Sequence, residues 1–474
     1  MIRRIASPVS IAILLSLFTV TALAQVARDL EAEYREVAGR LIGAALVDTR
    51  GWEKLEYLTT RIGHRLSGSE SLERALAWAA QEMRNDGLEH VRLQPVKVPH
   101  WVRGREWASV VAPVERPLNM LGLGGSVSTP KEGITAPVVV VSSFDELDAK
   151  GPDEIRGKIV LYDMVWPPGG GMESYRQANQ YRTIGASRAA KLGAVASLVR
   201  SMTGRSLYTP HTGGMNYDPA VPIRIPAAAI TVEDAAWIRR MTRMGQQVRV
   251  NLFMEAEMRA DADSANVMGE IVGRELPEEI VVLGGHIDSW DVGQGAHDDG
   301  AGVVASWQAL MLMKQLGLRP RRTVRVVGWT AEENGTAGGL AYRDALGRDV
   351  NRHVAAIEMD LGSEAPIGFG FNILELNDDQ SRLNTAMTKL QQIAQLLEGI
   401  GATTVQTGGG GADIRALMRD GVPGIGLLTV DEHYFDWHHT RADTLDKVDV
   451  QDFRRCMAAL AVMAYVLADM PDRL

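Results

Sequence analysis

The sequence predicts an α/β fold, a mixed, mostly parallel sheet covered by helices, interrupted by an inserted β-rich domain. Three observations carry this expectation. From Asn266 onward, β-type runs alternate with helical ones, the pattern of strand–helix units. Several of these runs, such as Ile280 to Gly285 and Thr323 to Thr330, are continuously apolar, as befits strands with helices on both faces. Between Gly122 and about Met258, short β-rich runs with Pro- and Gly-rich turns replace that pattern, which marks a separate unit. The expected organisation is a leader at 1–24, a first part of the main domain at 25–121, the insert at 122–260 and the rest of the main domain at 261–474.

The elements follow in order. Arg3 and Arg4 precede an apolar stretch from about Val9 to Val20, which ends in Ala22-Leu23-Ala24 before Gln25. A charged start, an apolar middle and a small-residue end are the order of a secretory signal peptide. The apolar run is about 12 residues, short of the roughly 20 that span a bilayer, so no permanent membrane span is expected. The mature chain is expected to act as a secreted or periplasmic protein. From Asp48 to about Pro99 the pattern reads as helical, with Leu72, Ala75, Leu76, Ala79 and Met83 on one face and Gly87 as a stop. Within the insert, Pro137 to Val141, Lys158 to Tyr162 and Ala194 to Val199 read as strands. Thereafter strands are expected at Asn266 to Gly273, Ile280 to Gly285, Thr323 to Thr330, Val354 to Asp360 and Gly424 to Thr429. Helices are expected at Gly302 to Leu316, Gly338 to Leu346, Ser381 to Leu397 and Val450 to Leu467.

Composition bounds the chemistry. The 474 residues carry 50 Lys and Arg against 59 Asp and Glu, a net charge of −9, which argues against nucleic acid as a partner. A single cysteine, Cys456, excludes an intrachain disulfide and any Cys-rich metal site. A metal would therefore be held by His, Asp and Glu.

In open α/β sheets, sites form outside the C-terminal ends of the strands, and four expected strand ends carry the right chemistry. Gly285-His286-Ile287-Asp288-Ser289 ends one and leads to Gly295-Ala296-His297-Asp298-Asp299-Gly300 as the next helix opens. Trp329-Thr330-Ala331-Glu332-Glu333 follows a second, Glu358-Met359-Asp360 ends a third, and His438-His439-Thr440-Arg441-Ala442-Asp443-Thr444 lies beyond a fourth. One His-x-Asp or Glu-Glu alone carries little weight; their joint placement at one sheet edge suits a pair of divalent ions sharing a carboxylate. Charge agrees, since three ligand carboxylates and a hydroxide balance two such ions.

These residues resemble the co-catalytic zinc exopeptidase family of the leucyl aminopeptidase and glutamate carboxypeptidase type, above all its plasma glutamate carboxypeptidase branch. The resemblance rests on His286-Ile287-Asp288-Ser289-Trp290-Asp291-Val292-Gly293-Gln294-Gly295-Ala296, on Trp329 to Glu333 and on Ile62-Gly63-His64-Arg65-Leu66-Ser67-Gly68-Ser69. It implies the zinc-exopeptidase fold, and it likens the insert around Ile155 to Leu161 to a protease-associated domain. It implies two zinc ions per chain, His286 and Asp360 on one, Glu333 and His439 on the other, and Asp298 as the bridge. Asp288 would hydrogen-bond the far nitrogen of His286, and Glu332 would be the general base. A short peptide, most simply a dipeptide with a free N-terminus, is the implied substrate; an aminopeptidase acting on longer peptides is the alternative. A homodimer is the implied assembly.

Several points stay open on the sequence alone. His438 adjoins His439, and the choice between them rests on the His-Thr-x-x-Asp-Thr pattern. His297 and Asp299 flank Asp298 and read as residues that open the helix. Gly408-Gly409-Gly410-Gly411 is either a flexible loop or a backbone surface beside the substrate. Arg415 and Arg441 lie near the motifs, with no obvious arginine cluster for a substrate carboxylate. Mixed imidazole and carboxylate donors suit manganese or cobalt as well as zinc. There is no His-Glu-x-x-His, Gly-x-Ser-x-Gly or phosphate-cradling loop, and Cys456 reads as core. A non-catalytic binding protein on the same scaffold would be expected to have lost ligands.

Overall fold

The computed structural model describes residues 29–167, 169–374 and 379–474; the expected leader lies outside them. Its main sheet has eight strands in the order Glu89–Val98, Ala262–Ile271, Arg322–Trp329, Leu276–His286, His353–Glu358, Gly424–Thr429, Pro366–Asn372 and Thr404–Thr407. The four from Arg322–Trp329 to Gly424–Thr429 are parallel, and antiparallel neighbours flank them. The mixed, centrally parallel sheet agrees with the expected fold class. Its central strands are continuously apolar because both faces are covered: Val281, Leu283, Val324, Val326 and Ile357 face one apolar cluster, Val282, Val327, Trp329 and Ala356 another. Helices Ala301–Gln315 and Val450–Asp469 are buried along most of their length and belong to the first cluster.

Two expectations are corrected. Glu89–Val98 is a strand inside the stretch read as helical. It lies at the sheet edge, where only Val96 and Val98 are buried, so neither period shows in its polar, Pro95-containing sequence. The boundary at residue 122 is also displaced. Glu106–Ala112, Arg116–Leu118 and Met120–Gly122 belong to a second eight-stranded sheet. Glu106–Ala112 pairs antiparallel with Arg249–Met254, joining the first and last stretches of the unit. Nor is that unit only β-rich, since helices Phe144–Ile155, Met172–Thr183, Gly185–Lys191 and Val232–Arg243 lie within it, and Ile159–Tyr162, Ala196–Arg200 and Ala227–Ile230 run parallel. Among the described residues no helix is long and apolar enough to cross a membrane.

A buried polar chain crosses the main sheet. Glu270 accepts from Arg325 Nε (2.7 Å), Arg325 Nη1 donates to Tyr342 Oη (2.8 Å), and Tyr342 Oη meets His353 Nε2 (2.8 Å). Burial lowers the His353 pKa to about 4, because charging the ring would strand it in apolar surroundings. The unfolded ring protonates below about 6.5, so the folded state loses relative stability as pH falls through the window from about 6.5 to 4. Denaturant titrations of wild type and His353→Gln at pH 7 and pH 4 should show wild type losing about 3 kcal/mol more than the variant. Equal losses would remove His353 as the group responsible.

Candidate active site

The main-sheet strands deliver their C-terminal ends to one edge, and close backbone approach sets the spacing there. A Cβ on Gly285 would lie 2.0 Å from Asp299 Oδ2, and one on Gly302 would lie 2.0 Å from the Met359 carbonyl. Only glycine lets the segment Ala296–Gly300 and the helix after it sit directly on the strand ends. Asp299 spends its carboxylate on this junction, accepting from the N–H groups of His286 (3.0 Å) and Gly302 (3.1 Å). His297 turns away: its Nδ1 accepts from the Ser363 N–H (3.2 Å) and its ring packs on Trp437. Asp299 also brings a carboxylate oxygen within 4.8 Å of ligand atoms of His286 and Asp360.

Between them, Asp298 points into the cleft with one oxygen toward each of two histidines. Oδ1 lies 3.2 Å from His286 Nε2, and Oδ2 lies 3.2 Å from His439 Nε2. His286 Nε2 also faces Asp360 (3.4 Å), and His439 Nε2 faces Glu333 (3.1 Å). His438 is stacked on His439 at 3.6 Å between ring centroids, with its Nε2 3.6 Å from Asp298. Of the pair, His439 thus faces two carboxylates and His438 one, at longer range. All five residues proposed from the sequence as metal ligands converge here, in overlapping groups of three whose ligand atoms lie within 4.8 Å and which also take in His438 and Asp299.

The donor set fits a pair of cations. Among the described residues Glu333 Oε1 is buried with no hydrogen-bond partner and Asp298 Oδ2 faces only the two imidazoles, and buried carboxylate oxygens are rarely left so. Burial disfavours charge on His286, yet the facing Asp288, Asp298 and Asp360 hold its pKa well above the ordinary value. Burial likewise opposes ionisation of Asp298, but His286 and His439 hold it well below the usual carboxylate range. A proton on each imidazole or a metal ion in front of it are the two ways to neutralise such a cluster.

Asp288 divides its work in a way the sequence did not show. The carbonyl of Asp288 lies 3.1 Å from His286 Nδ1, closer than its carboxylate at 3.6 Å. The carboxylate oxygens accept from the N–H groups of Glu332 (3.1 Å) and Glu333 (3.3 Å). One residue therefore fixes the His286 ring with its backbone and the Glu332-Glu333 turn with its side chain. Glu332 lines the cleft. Burial pushes its carboxyl well above the usual range, His286 offsets this, and the charges of Asp360 and Glu333 add to it.

Three supporting residues were missed by sequence reasoning. Asp443 accepts from the N–H groups of Ala296, His297 and Asp298 (3.1, 2.8 and 3.2 Å) and so holds the bridging aspartate in place. The Asp of His-Thr-x-x-Asp-Thr was its only signal. Arg65, fully buried, donates to the carbonyls of Ile287, Gly63, Gln294 and Gly295 at 2.7–2.9 Å. Glu358, two residues before Asp360, accepts from the N–H groups of Ala412 and Ile414, both at 3.0 Å. A Cβ on Gly411 would lie 2.0 Å from that carboxylate, so the glycine run is pinned against the strand end, and Gly409, Gly410 and Gly411 line the cleft.

The second unit closes the other side. Thr212 donates its N–H to the His439 carbonyl (3.0 Å), and its own carbonyl lies 3.3 Å from His439 Nδ1. Arg182 donates to that same carbonyl (3.3 Å) and to Tyr175 Oη (2.7 Å), and Tyr175 packs edge-on against His438. The cleft between the two units measures about 990 Å³, within the roughly 300–1,000 Å³ typical of small-ligand sites.

Known proteins resemble this chain in sequence and fold. Carboxypeptidase Q from Bos taurus is 44% identical over 446 residues, covering 94% of this chain and 91% of its own. The crystal structure of a peptidase M28 precursor from Shewanella amazonensis superposes with a TM-score of 0.88 at 33% identity, covering 94% of this chain and 98% of its own. A zinc aminopeptidase from Bacillus subtilis shares the fold, with a TM-score of 0.64 at 21% identity over 89% of this chain and 96% of its own. The sequence profile of peptidase family M28 matches residues 266–464, the stretch that carries the five converging residues. On this relatedness over nearly its whole length, the chain belongs to peptidase family M28 and is a metallopeptidase.

Proposed function

We propose that the protein is a secreted or periplasmic two-zinc exopeptidase that hydrolyses short peptides, chiefly dipeptides with a free N-terminus. The observation that carries this reading is the carboxylate of Asp298, with one oxygen toward His286 and the other toward His439. His286 and Asp360 would hold one ion, Glu333 and His439 the other, and Asp298 both. Zinc, when bound, supplies Lewis acidity that polarises the scissile carbonyl and acidifies water. Glu332, held beside its ligand neighbour by Asp288, takes the proton of the attacking water and passes it to the leaving amine. Burial raises its carboxyl above the usual range, so it holds a proton more readily than an exposed glutamate does, which suits that exchange. Similarity to carboxypeptidase Q supports the exopeptidase reading. The leader-like segment before Gln25 supports export.

A panel of dipeptides, tripeptides and N-blocked dipeptides, assayed with and without chelator, tests this. Free dipeptides should turn over fastest, chelation should abolish turnover, and zinc should restore it. Absence of chelator-sensitive hydrolysis across the panel would overturn the enzyme reading, and equal rates on blocked and free dipeptides would remove the free-amine requirement.

A further inference from the structure

The cleft holds two cationic side chains that no other described residue engages. Arg415 and Arg419 both line it, are exposed, and have no hydrogen-bond or ion-pair partner for their guanidinium groups among the described residues. The other cleft arginines are committed: Arg176 pairs with Glu173 (3.2 Å), and Arg182 donates to Thr212 and Tyr175. The acid nearest in sequence, Asp420, is taken by Arg343.

Position adds to this. Arg415 and Arg419 open and close the short helix Arg415–Arg419, so at i and i+4 they lie on one face. Leu417, buried and outside the cleft lining, anchors the helix from its other side. Two like charges so placed repel each other, a cost that a shared anion removes. The helix that carries the pair is also tied by backbone to the strand end that carries Asp360. Glu358 grips the backbone of residues 412–414 immediately before the helix, and Asp360 lies two residues beyond Glu358 on the same strand end.

We infer that Arg415 and Arg419 form a clamp for a carboxylate of the peptide substrate, in the first place its C-terminal carboxylate. The inference rests on the exopeptidase reading above and deepens it. A substrate held by its C-terminal carboxylate at the clamp and by its scissile bond at the catalytic centre is limited in the number of residues after that bond. The clamp therefore favours release of a short C-terminal piece over cleavage inside a longer chain. Planar guanidinium groups suit this task because they match a carboxylate with paired N–H donors.

The test compares alanyl-leucine, alanyl-leucinamide and alanyl-glutamic acid α-amide on wild type, Arg415→Gln/Arg419→Gln and Arg441→Gln. Arg441 is exposed and lies outside the cleft lining, so its variant should behave as wild type. For the double variant, KM for the free acid should rise about 10- to 100-fold with kcat changed less than about 3-fold, while the leucinamide is unaffected. If the preference lost is instead for the glutamic acid α-amide over the leucinamide, the clamp reads a side-chain carboxylate. An unchanged ratio among the three substrates overturns the clamp. Calorimetric binding of the same three peptides to Glu332→Gln, with and without the two arginine replacements, reads the clamp without turnover. Equal binding of acid and amide there overturns the clamp even if hydrolysis proceeds, whereas a free-acid preference that the replacements abolish supports it even if no peptide is cleaved.

Discussion

Glu332→Gln is expected to lower kcat about 10²- to 10⁴-fold while leaving metal content at the wild-type level. The change is nearly isosteric, so the turn that Asp288 holds through the N–H groups of Glu332 and Glu333 stays in place. What is lost is, among the described residues, the one cleft-lining carboxylate next to the proposed ligands that is neither among them nor bonded to backbone N–H groups. An amide cannot accept and return a proton, so the loss falls on kcat more than on KM. Turnover by stopped assay and metal by elemental analysis, on one preparation, separate the two effects. An unchanged rate would remove Glu332 as the base; a parallel loss of metal would show that it is a ligand.

Asp298→Ala should have a still broader effect, because one side chain faces both histidines. Zinc added to the metal-free wild type is expected to raise Tm by roughly 3–5 °C at concentrations well above Kd, since a ligand that binds only the folded state stabilises it. The variant should show little or no zinc-dependent shift, bind less metal, and lose hydrolysis by at least about 10³-fold. Asp443, which holds residues 296–298 by their N–H groups, keeps the loop in place without the aspartate side chain, so the variant should fold. Full occupancy by two ions in Asp298→Ala would exclude it as their bridge.

Much of this site was legible because strand ends are legible. A continuously apolar run says where a buried strand lies, and the first polar residues after it must emerge at the sheet edge. His286, Glu332, Glu333 and Asp360 are such residues. Asp298 opens a helix that returns over the same edge, and its flanking His297 and Asp299 serve the backbone, as their position implied. The edge strand Glu89–Val98 escaped because it buries too little to carry a period. The start of the second unit was misplaced because Glu106–Ala112 belongs to it only through pairing with Arg249–Met254, more than 130 residues later.

The sequence by itself determined the fold class and which side chains reach the reacting edge, since both follow from local periodicity and short spacings. Tertiary structure alone decided how those side chains are shared and steadied. It turned His439 rather than His438 toward Glu333 and spent the Asp288 carboxylate on the Glu332-Glu333 turn. It brought Thr212 against His439 from the second unit and left Arg415 and Arg419 in the cleft without a partner among the described residues. These outcomes depend on contacts between residues far apart in the chain, fixed by how two sheets and their helices pack, and such contacts leave no spacing to read.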